Sequence, residues 1–184
     1  RSRGRFKAPM VIRFPYGGGI NALEHHSESP EAIYSHIPGL KVVVPSTPHD
    51  AKGLLIAAIE SDDPIIFMEP KRIYRAIRQE VNDDKFSIPI GKAKVLNEGT
   101  DVTVVAFGAM IRECQNAIAM AKEAGISVEL IDLRTIYPID KETIIESIKK
   151  TGRLVVVAEA AESFSVGSEL IAIANEGAFL HLEA

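Results

Sequence analysis

The sequence predicts an α/β protein built from two doubly wound, mainly parallel sheets. Three observations carry this. β-branched runs such as Lys41-Val42-Val43-Val44 and Ile65-Ile66-Phe67-Met68 have the pattern of buried parallel strands. They alternate with stretches whose apolar residues recur at helical spacing, as at Ala51, Leu54, Leu55, Ala58 and Ile59. The connections are short and marked by Pro, Gly and Asp, as a strand–helix–strand crossover requires.

The elements follow in order. Met10 to Phe14 is an apolar strand expected to stop at Pro15. Gly17-Gly18-Gly19 comes next, where the backbone can approach another group closely. Ser29-Pro30-Glu31 has the form of a helix start, with Ser29 as cap, and Pro38-Gly39 ends that helix. Lys41–Val44 is a strand. Ser46 or Thr47 caps the next helix, which Ser61-Asp62-Asp63-Pro64 breaks, and Ile65–Met68 is the following strand. From about 70 to 100 the chain is a charged connector with Lys71, Arg72, Arg75 and Arg78, then a strand around Ile90–Leu96. Strands at Val102–Phe107, Ser127–Leu133 and Leu154–Ala158 then alternate with three helices. One carries Ile111, Cys114, Ala117, Ile118 and Ala121 on one face, one is capped by Asp140, and one spans Glu169–Ala174. Phe179–Leu182 is expected to be a last strand. The predicted division is residues 1–80, a connector over 81–100, and 101–184.

The composition sets outer limits. The chain has 184 residues, 46% hydrophobic and 25% charged, which fits a folded chain and not a disordered one. A net charge of -4 argues against a nucleic-acid partner. No apolar run reaches the roughly 20 residues of a membrane span, so no membrane role is expected. The single cysteine, Cys114, excludes an internal disulfide, and its place on an apolar helix face predicts an inert thiol. The first residue is Arg1, and a fragment of a longer chain is expected.

Several residues have the chemistry of a site, each with a structural alternative. His25-His26 beside three glycines suits proton transfer near neutral pH, or is a solvated loop. Arg134, past a strand end, suits anion binding or an internal ion pair, and Asp140 is a helix cap. The Lys71, Arg72, Arg75 and Arg78 cluster suits phosphate binding or a solvated connector. Glu159 and Glu162 lie past a strand end with nothing else to mark them. The glycine run has neither a phosphate-loop lysine nor dinucleotide-fingerprint spacing.

Longer stretches resemble a known family. They include Phe6–Arg13, Gly17–Gly19, His26–Ala32, Pro38–Ser46, Asp50–Leu55, Phe67–Lys71 and Asp132–Asp140. In order, they resemble the beta subunit of the thiamine-diphosphate-dependent decarboxylating component of 2-oxo acid dehydrogenase complexes. The branched-chain (2-oxoisovalerate) and pyruvate/acetoin types are the nearest in kind. The Asp132–Asp140 stretch also resembles transketolases and deoxyxylulose-phosphate synthases.

The resemblance implies a partial transketolase-like pyrimidine-binding domain followed by a truncated transketolase C-terminal-like domain. It implies thiamine diphosphate with magnesium at the interface with an alpha subunit, in an alpha2beta2 heterotetramer. It implies a small 2-oxo acid substrate, acyl transfer to a lipoyl group, and docking to the subunit-binding domain of the acyltransferase core. It aligns His26 with the family's active-site histidine. It places a potassium ion among mostly backbone carbonyls of Ala8, Met10, Val11, Ala58, Ser61 and Asp63. Ser61 and Asp63 depart from the usual Asp and Asn. The family's catalytic glutamate and aminopyrimidine-binding segment correspond to chain preceding Arg1, so the fragment alone is expected to be inactive. Cytoplasm or mitochondrial matrix is the implied compartment. The competing readings are a sugar-phosphate thiamine enzyme and a non-catalytic docking module.

Overall fold

The computed structural model describes residues 5–22 and 27–184. Among these, the first sheet holds the parallel strands β1 (Val11–Tyr16), β2 (Lys41–Val43) and β3 (Ile65–Pro70), in the order β1-β3-β2. Helix α2 (Pro48–Ile59) makes the predicted crossover between β2 and β3. Thr47 is its cap: the hydroxyl accepts the Asp50 N–H at 3.1 Å, and Pro48 fills the first helical position.

The buried face of α2 is rotated from the predicted one. Gly53, Leu54 and Ala58 point inward, while Ile59 is exposed. The connector is the cause. Phe86 and Ile88 pack where a Cβ on Gly53 would point, at 2.7 and 2.6 Å, and the Ile88 N–H donates to the Gly53 carbonyl at 3.1 Å. A glycine in mid-helix costs some helix propensity, and here it admits the connector.

The second sheet has the order β4-β6-β5-β8. Strands β5 (Val102–Ala106), β6 (Val128–Asp132) and β8 (Leu154–Val157) are parallel, and β4 (Lys94–Asn97) is an antiparallel edge. Helices α3 (Met110–Glu123), α4 (Lys141–Thr151) and α5 (Val166–Ala178) connect or cover them. Asp140 caps α4 as expected, and Gly152, with φ +72°, ends it.

Other expectations are corrected. Strand β1 runs through Pro15 to Tyr16, because β1 is an edge strand among the described residues and a proline there costs no ladder bond on its open side. Helix α1 (Glu31–Ser35) starts after Pro30 and has no side-chain cap, so Ser29 does not cap it. Phe179–His181 is a 3-10 turn continuing α5, not a strand. The tail instead docks by backbone bonds, Leu154 N–H to Ala184 O at 3.2 Å and Glu183 N–H to Gly152 O at 2.6 Å. A four-residue apolar run has too little period to separate the two states.

The largest surprise is β7 (Thr135–Tyr137). It leaves the second sheet and pairs antiparallel with β2, Val43 opposite Thr135 and Val42 opposite Tyr137. The C-terminal half thereby supplies the fourth strand of the first sheet. One buried cluster joins Tyr16, Val44 and Met68 to Phe107, Leu133, Ile136 and Leu170. Among the described residues, no helix is long and apolar enough to cross a membrane.

Candidate functional site

Parallel strands bring their carboxyl ends to one edge, where α/β sheets place their sites. Here the carboxyl ends of both sheets face one another. Tyr16 closes β1, Pro70 closes β3 and Asp132 closes β6, while Gly108 and Glu159 lie just past β5 and β8. A Cβ on Gly108 would stand 2.5 Å from Tyr16 Oη, 3.1 Å from Val44 and 3.2 Å from Pro70. A Cβ on Gly17 would stand 2.5 Å from Glu159 Oε1. Glycine at both positions is therefore steric as well as conformational, since both have positive φ.

The chain leaves β1 through Gly17 and returns at Glu28, whose carbonyl accepts the Gly17 N–H at 2.8 Å. Inside that neck, the Ser27 hydroxyl donates to the Ala22 carbonyl. His26, the predicted active-site residue, and His25 lie outside the described residues. An open hollow of about 330 Å³ flanks the neck, lined by Phe14, Pro15, Glu28, Pro30, Ile33 and Tyr34.

Near the carboxyl end of β1 lies a group of acids, two of them fully buried. Tyr16 and Glu31 are at most 1% exposed. Tyr16 Oη, both Glu31 oxygens and Glu159 Oε1 have no hydrogen-bond partner among the described residues. Burial pushes the Glu31 carboxyl up, and the nearby Glu159 charge pushes it further. Burial likewise raises Glu159, opposed by the Gly18 amide and the Arg72 guanidinium. Tyr16 is raised by burial and then by Glu31, Glu159 and Asp132. The group holds protons more tightly than free carboxyls do. Sequence reasoning missed Tyr16 and Glu31. Their only local signal is a tyrosine ending an apolar strand and a glutamate opening a helix.

Asp132–Ile136 and Asp140 are buried, while Tyr137 and Pro138 are exposed. The Ser46 hydroxyl donates to Asp132, as does the Arg134 N–H at 3.1 Å. Burial pushes Asp132 up to about 7 against those two bonds. Arg134 is at φ +56° and donates through its guanidinium to the carbonyls of Lys92 at 2.9 Å and Ala93 at 3.1 Å. It lies 3.7 Å from Asp50. Of its two readings, the internal ion pair is the one observed. Burial opposes the Asp140 charge, but the Ala93 amide, Thr143 and Lys92 hold its carboxyl below the usual range.

The segments assigned to potassium are adjacent. The Ala8 N–H donates to the Asp62 carbonyl at 3.0 Å, and the Ile65 N–H to the Met10 carbonyl at 2.8 Å. The Ser61 N–H donates to the Ala58 carbonyl at 3.2 Å. The Asp63 carboxylate pairs with Lys41 at 2.9 Å, and Asp62 pairs with Lys7 at 2.7 Å. Val11 opens β1 opposite Ile65. The basic cluster is not gathered into one site: Arg72 pairs with Glu113 at 2.5 Å, and Arg75 and Arg78 are exposed. Glu162 is exposed. Cys114 is buried and its thiol is pushed up to about 11, first by burial, as an inert core thiol requires.

Comparison with known proteins accounts for this two-sheet arrangement. The family model described as "Transketolase, C-terminal domain" matches residues 91–184, and "Transketolase, pyrimidine binding domain" matches residues 1–77. The chain belongs to the transketolase C-terminal domain family. In these terms, β4 to α5 lie in the transketolase C-terminal domain, and β1 to β3 lie in the part matched by the pyrimidine-binding domain. The chain is 61% identical, over all 184 residues, to the pyruvate dehydrogenase E1 component subunit beta of Acholeplasma laidlawii, covering 56% of that protein. It is 47% identical to the protein of the same name from Bacillus subtilis (strain 168), covering 57% of it. The chain thus spans just over half the length of these relatives. A solved "Split gene transketolase, inactive beta4 tetramer" matches with a TM-score of 0.77 at 26% identity, over 96% of this chain and 58% of that one. The α/β, mainly parallel, transketolase-like architecture read from the sequence is the one found.

Proposed function

We propose that the full-length protein is the beta subunit of a thiamine-diphosphate-dependent 2-oxo acid dehydrogenase that acts on pyruvate. The observation that carries this is the 61% identity, across every residue of the chain, to a pyruvate dehydrogenase E1 component subunit beta. In this reading residues 1–80 are the C-terminal half of a pyrimidine-binding domain, and 101–184 are a transketolase C-terminal-like domain. An alpha subunit completes a heterotetramer, a lipoyl acyltransferase core receives the acyl group, and the assembly works in the bacterial cytoplasm.

Among the described residues, no three His, Cys, Asp or Glu side chains gather as metal ligands. The donor set of this half therefore suits a division in which the alpha subunit holds the diphosphate and magnesium. Thiamine diphosphate, when bound, supplies the nucleophilic carbon and electron sink for decarboxylation. This chain's own part is the loop that leaves β1. His26 serves there as a hydrogen-bond donor to the substrate carboxylate or as a proton carrier. Carbonyls from the two neighbouring segments, those of Ala8, Met10, Val11, Ala58, Ser61 and Asp63, would hold potassium, because hard oxygen ligands suit such a cation. Asp63, engaged by Lys41, contributes through its backbone rather than its carboxylate.

The test uses the full-length chain co-expressed with its alpha partner. Thiamine-dependent release of carbon dioxide from pyruvate and from 2-oxoisovalerate is measured for wild type and His26→Ala. Turnover on pyruvate with a loss of about 100-fold in the variant, the assembly intact, is the expected result. Unchanged turnover in the variant removes His26 from the mechanism. No decarboxylation of either acid by wild type overturns the assignment.

A further inference from the structure

We propose that Glu159 is a positioning residue for the triple-glycine segment, acting across the junction of the two sheets. The inference rests on the reading of His26 above only for its catalytic consequence.

Three features that look unrelated in the sequence meet at this point. Gly17, Gly18 and Gly19 leave β1. Glu159 arrives from beyond β8, and Arg72 from beyond β3. Glu159 Oε1 occupies the space of a Gly17 side chain, 2.5 Å from its Cβ direction, and Oε2 stands 3.7 Å from that of Gly18. The Gly18 amide also lowers the proton affinity of the carboxylate, opposing the effect of burial. The Arg72 Cδ fills the space of a Gly19 side chain, at 2.7 Å, and its guanidinium is anchored to Glu113 on α3 at 2.5 Å. Each glycine is therefore backed by a long side chain belonging to another part of the fold. With Gly17 also tied to the Glu28 carbonyl at 2.8 Å, the start of the loop is held from two directions.

This explains the glycines at the two ends of the segment. Gly17 and Gly19 have φ of +90° and +82°, which side chains rarely adopt, and both must admit a side chain against the backbone, whereas a Cβ on Gly18 would make only an ordinary contact with Glu159. It also gives Glu159 a task. A half-buried carboxylate with one unpartnered oxygen has a cost, and here it fixes the backbone from which His25 and His26 follow in sequence. A small displacement of such a backbone weakens catalysis strongly, because alignment carries much of the rate.

The test is hydrogen–deuterium exchange of the peptide spanning residues 15–22 in the full-length protein with its alpha partner. Wild type is compared with Glu159→Ala and Glu159→Gln. Ala removes both the acceptor and the packing, and exchange at the glycine amides should rise about tenfold. Gln keeps the size and one acceptor oxygen, and should return exchange to within about twofold of wild type. Wild-type protection in Ala overturns the proposal, and so does a Gln variant as loose as Ala. If Ala does not fold, Glu159→Asp replaces it: the charge stays but the carboxylate withdraws by one methylene. Looser glycine amides then support the clamp, and wild-type protection overturns it.

Turnover provides the second arm. Glu159→Ala should lower kcat with little change in KM. In a His26→Ala background it should add almost nothing, since coupled residues are not additive. If His26→Ala alone leaves turnover intact, the reading of His26 fails, and the exchange measurement alone decides the role of Glu159.

Discussion

The Arg134 turn and the glycine loop lie at the same edge of the sheets, and both bury charge. Around Arg134 most charges meet a partner: guanidinium to the Lys92 and Ala93 carbonyls, Asp132 to Ser46 and the Arg134 amide, Asp140 to Ala93 and Thr143. Below the glycine loop, Tyr16, Glu31 and Glu159 retain unpartnered oxygens among the described residues. Buried polar groups are costly when unmatched, so a matched set serves to fix the chain, and an unmatched set marks a place kept for another purpose. Arg134 lies at the start of the turn that brings β7 onto the first sheet, and the acids lie near the glycines that leave β1.

Arg134→Met breaks the comparison most severely. It removes the donors to two carbonyls and the charge facing Asp50, and should cost the full-length chain about 3–5 kcal/mol, because one member of a buried charged set is removed. Denaturant unfolding measures this. A loss below about 1 kcal/mol would mean that the turn is held by its backbone alone.

Glu31→Gln has a smaller effect with the opposite sign. The Glu31 carboxyl is raised above its ordinary 4.5, first by burial. The folded state thus binds more protons than the unfolded one above about pH 4.5, and stability falls as pH rises toward the raised value. The amide variant carries no such penalty. It should match wild type near pH 4 and gain a higher Tm by pH 8, as read by thermal scans at both pH values. A variant less stable than wild type at pH 8 would show that the carboxylate is matched after all.

Thr47→Ala is the mildest change, and meets the Arg134 region only through the backbone N–H of Asp50. It removes the α2 cap and should cost about 1 kcal/mol by denaturant unfolding, whereas Thr47→Ser should cost almost nothing. A loss as large as that of Arg134→Met would erase the distinction between ordinary capping and a buried charged anchor.

Local chemistry made much of the fold legible. Strands at Lys41–Val43, Ile65–Pro70 and Val102–Ala106 follow from β-branched runs, and the caps Thr47 and Asp140 from their position before an apolar period. Segments whose state is set from a distance were harder to place. Thr135–Tyr137 resembles a loop until β2 offers it an edge, and Phe179–His181 alternates no differently from a strand until α5 continues into it. Within the site, Arg134 and Glu159 were visible as charged residues past strand ends, but not what they touch. Tyr16 and Glu31 gave no local sign of burial, which depends on elements over a hundred residues away.

The sequence alone determined the α/β class, the order of strands and helices, the crossover through α2 and the resemblance to thiamine enzymes. Those properties reside in short windows: side-chain branching, apolar period, capping groups and motif strings. Only the tertiary structure decided that β7 completes the first sheet, that Arg134 is an internal anchor, and that Glu159 lies against Gly17. These are contacts between residues far apart in the chain. They are fixed by which surfaces pack together once water is excluded, and no local pattern encodes that choice.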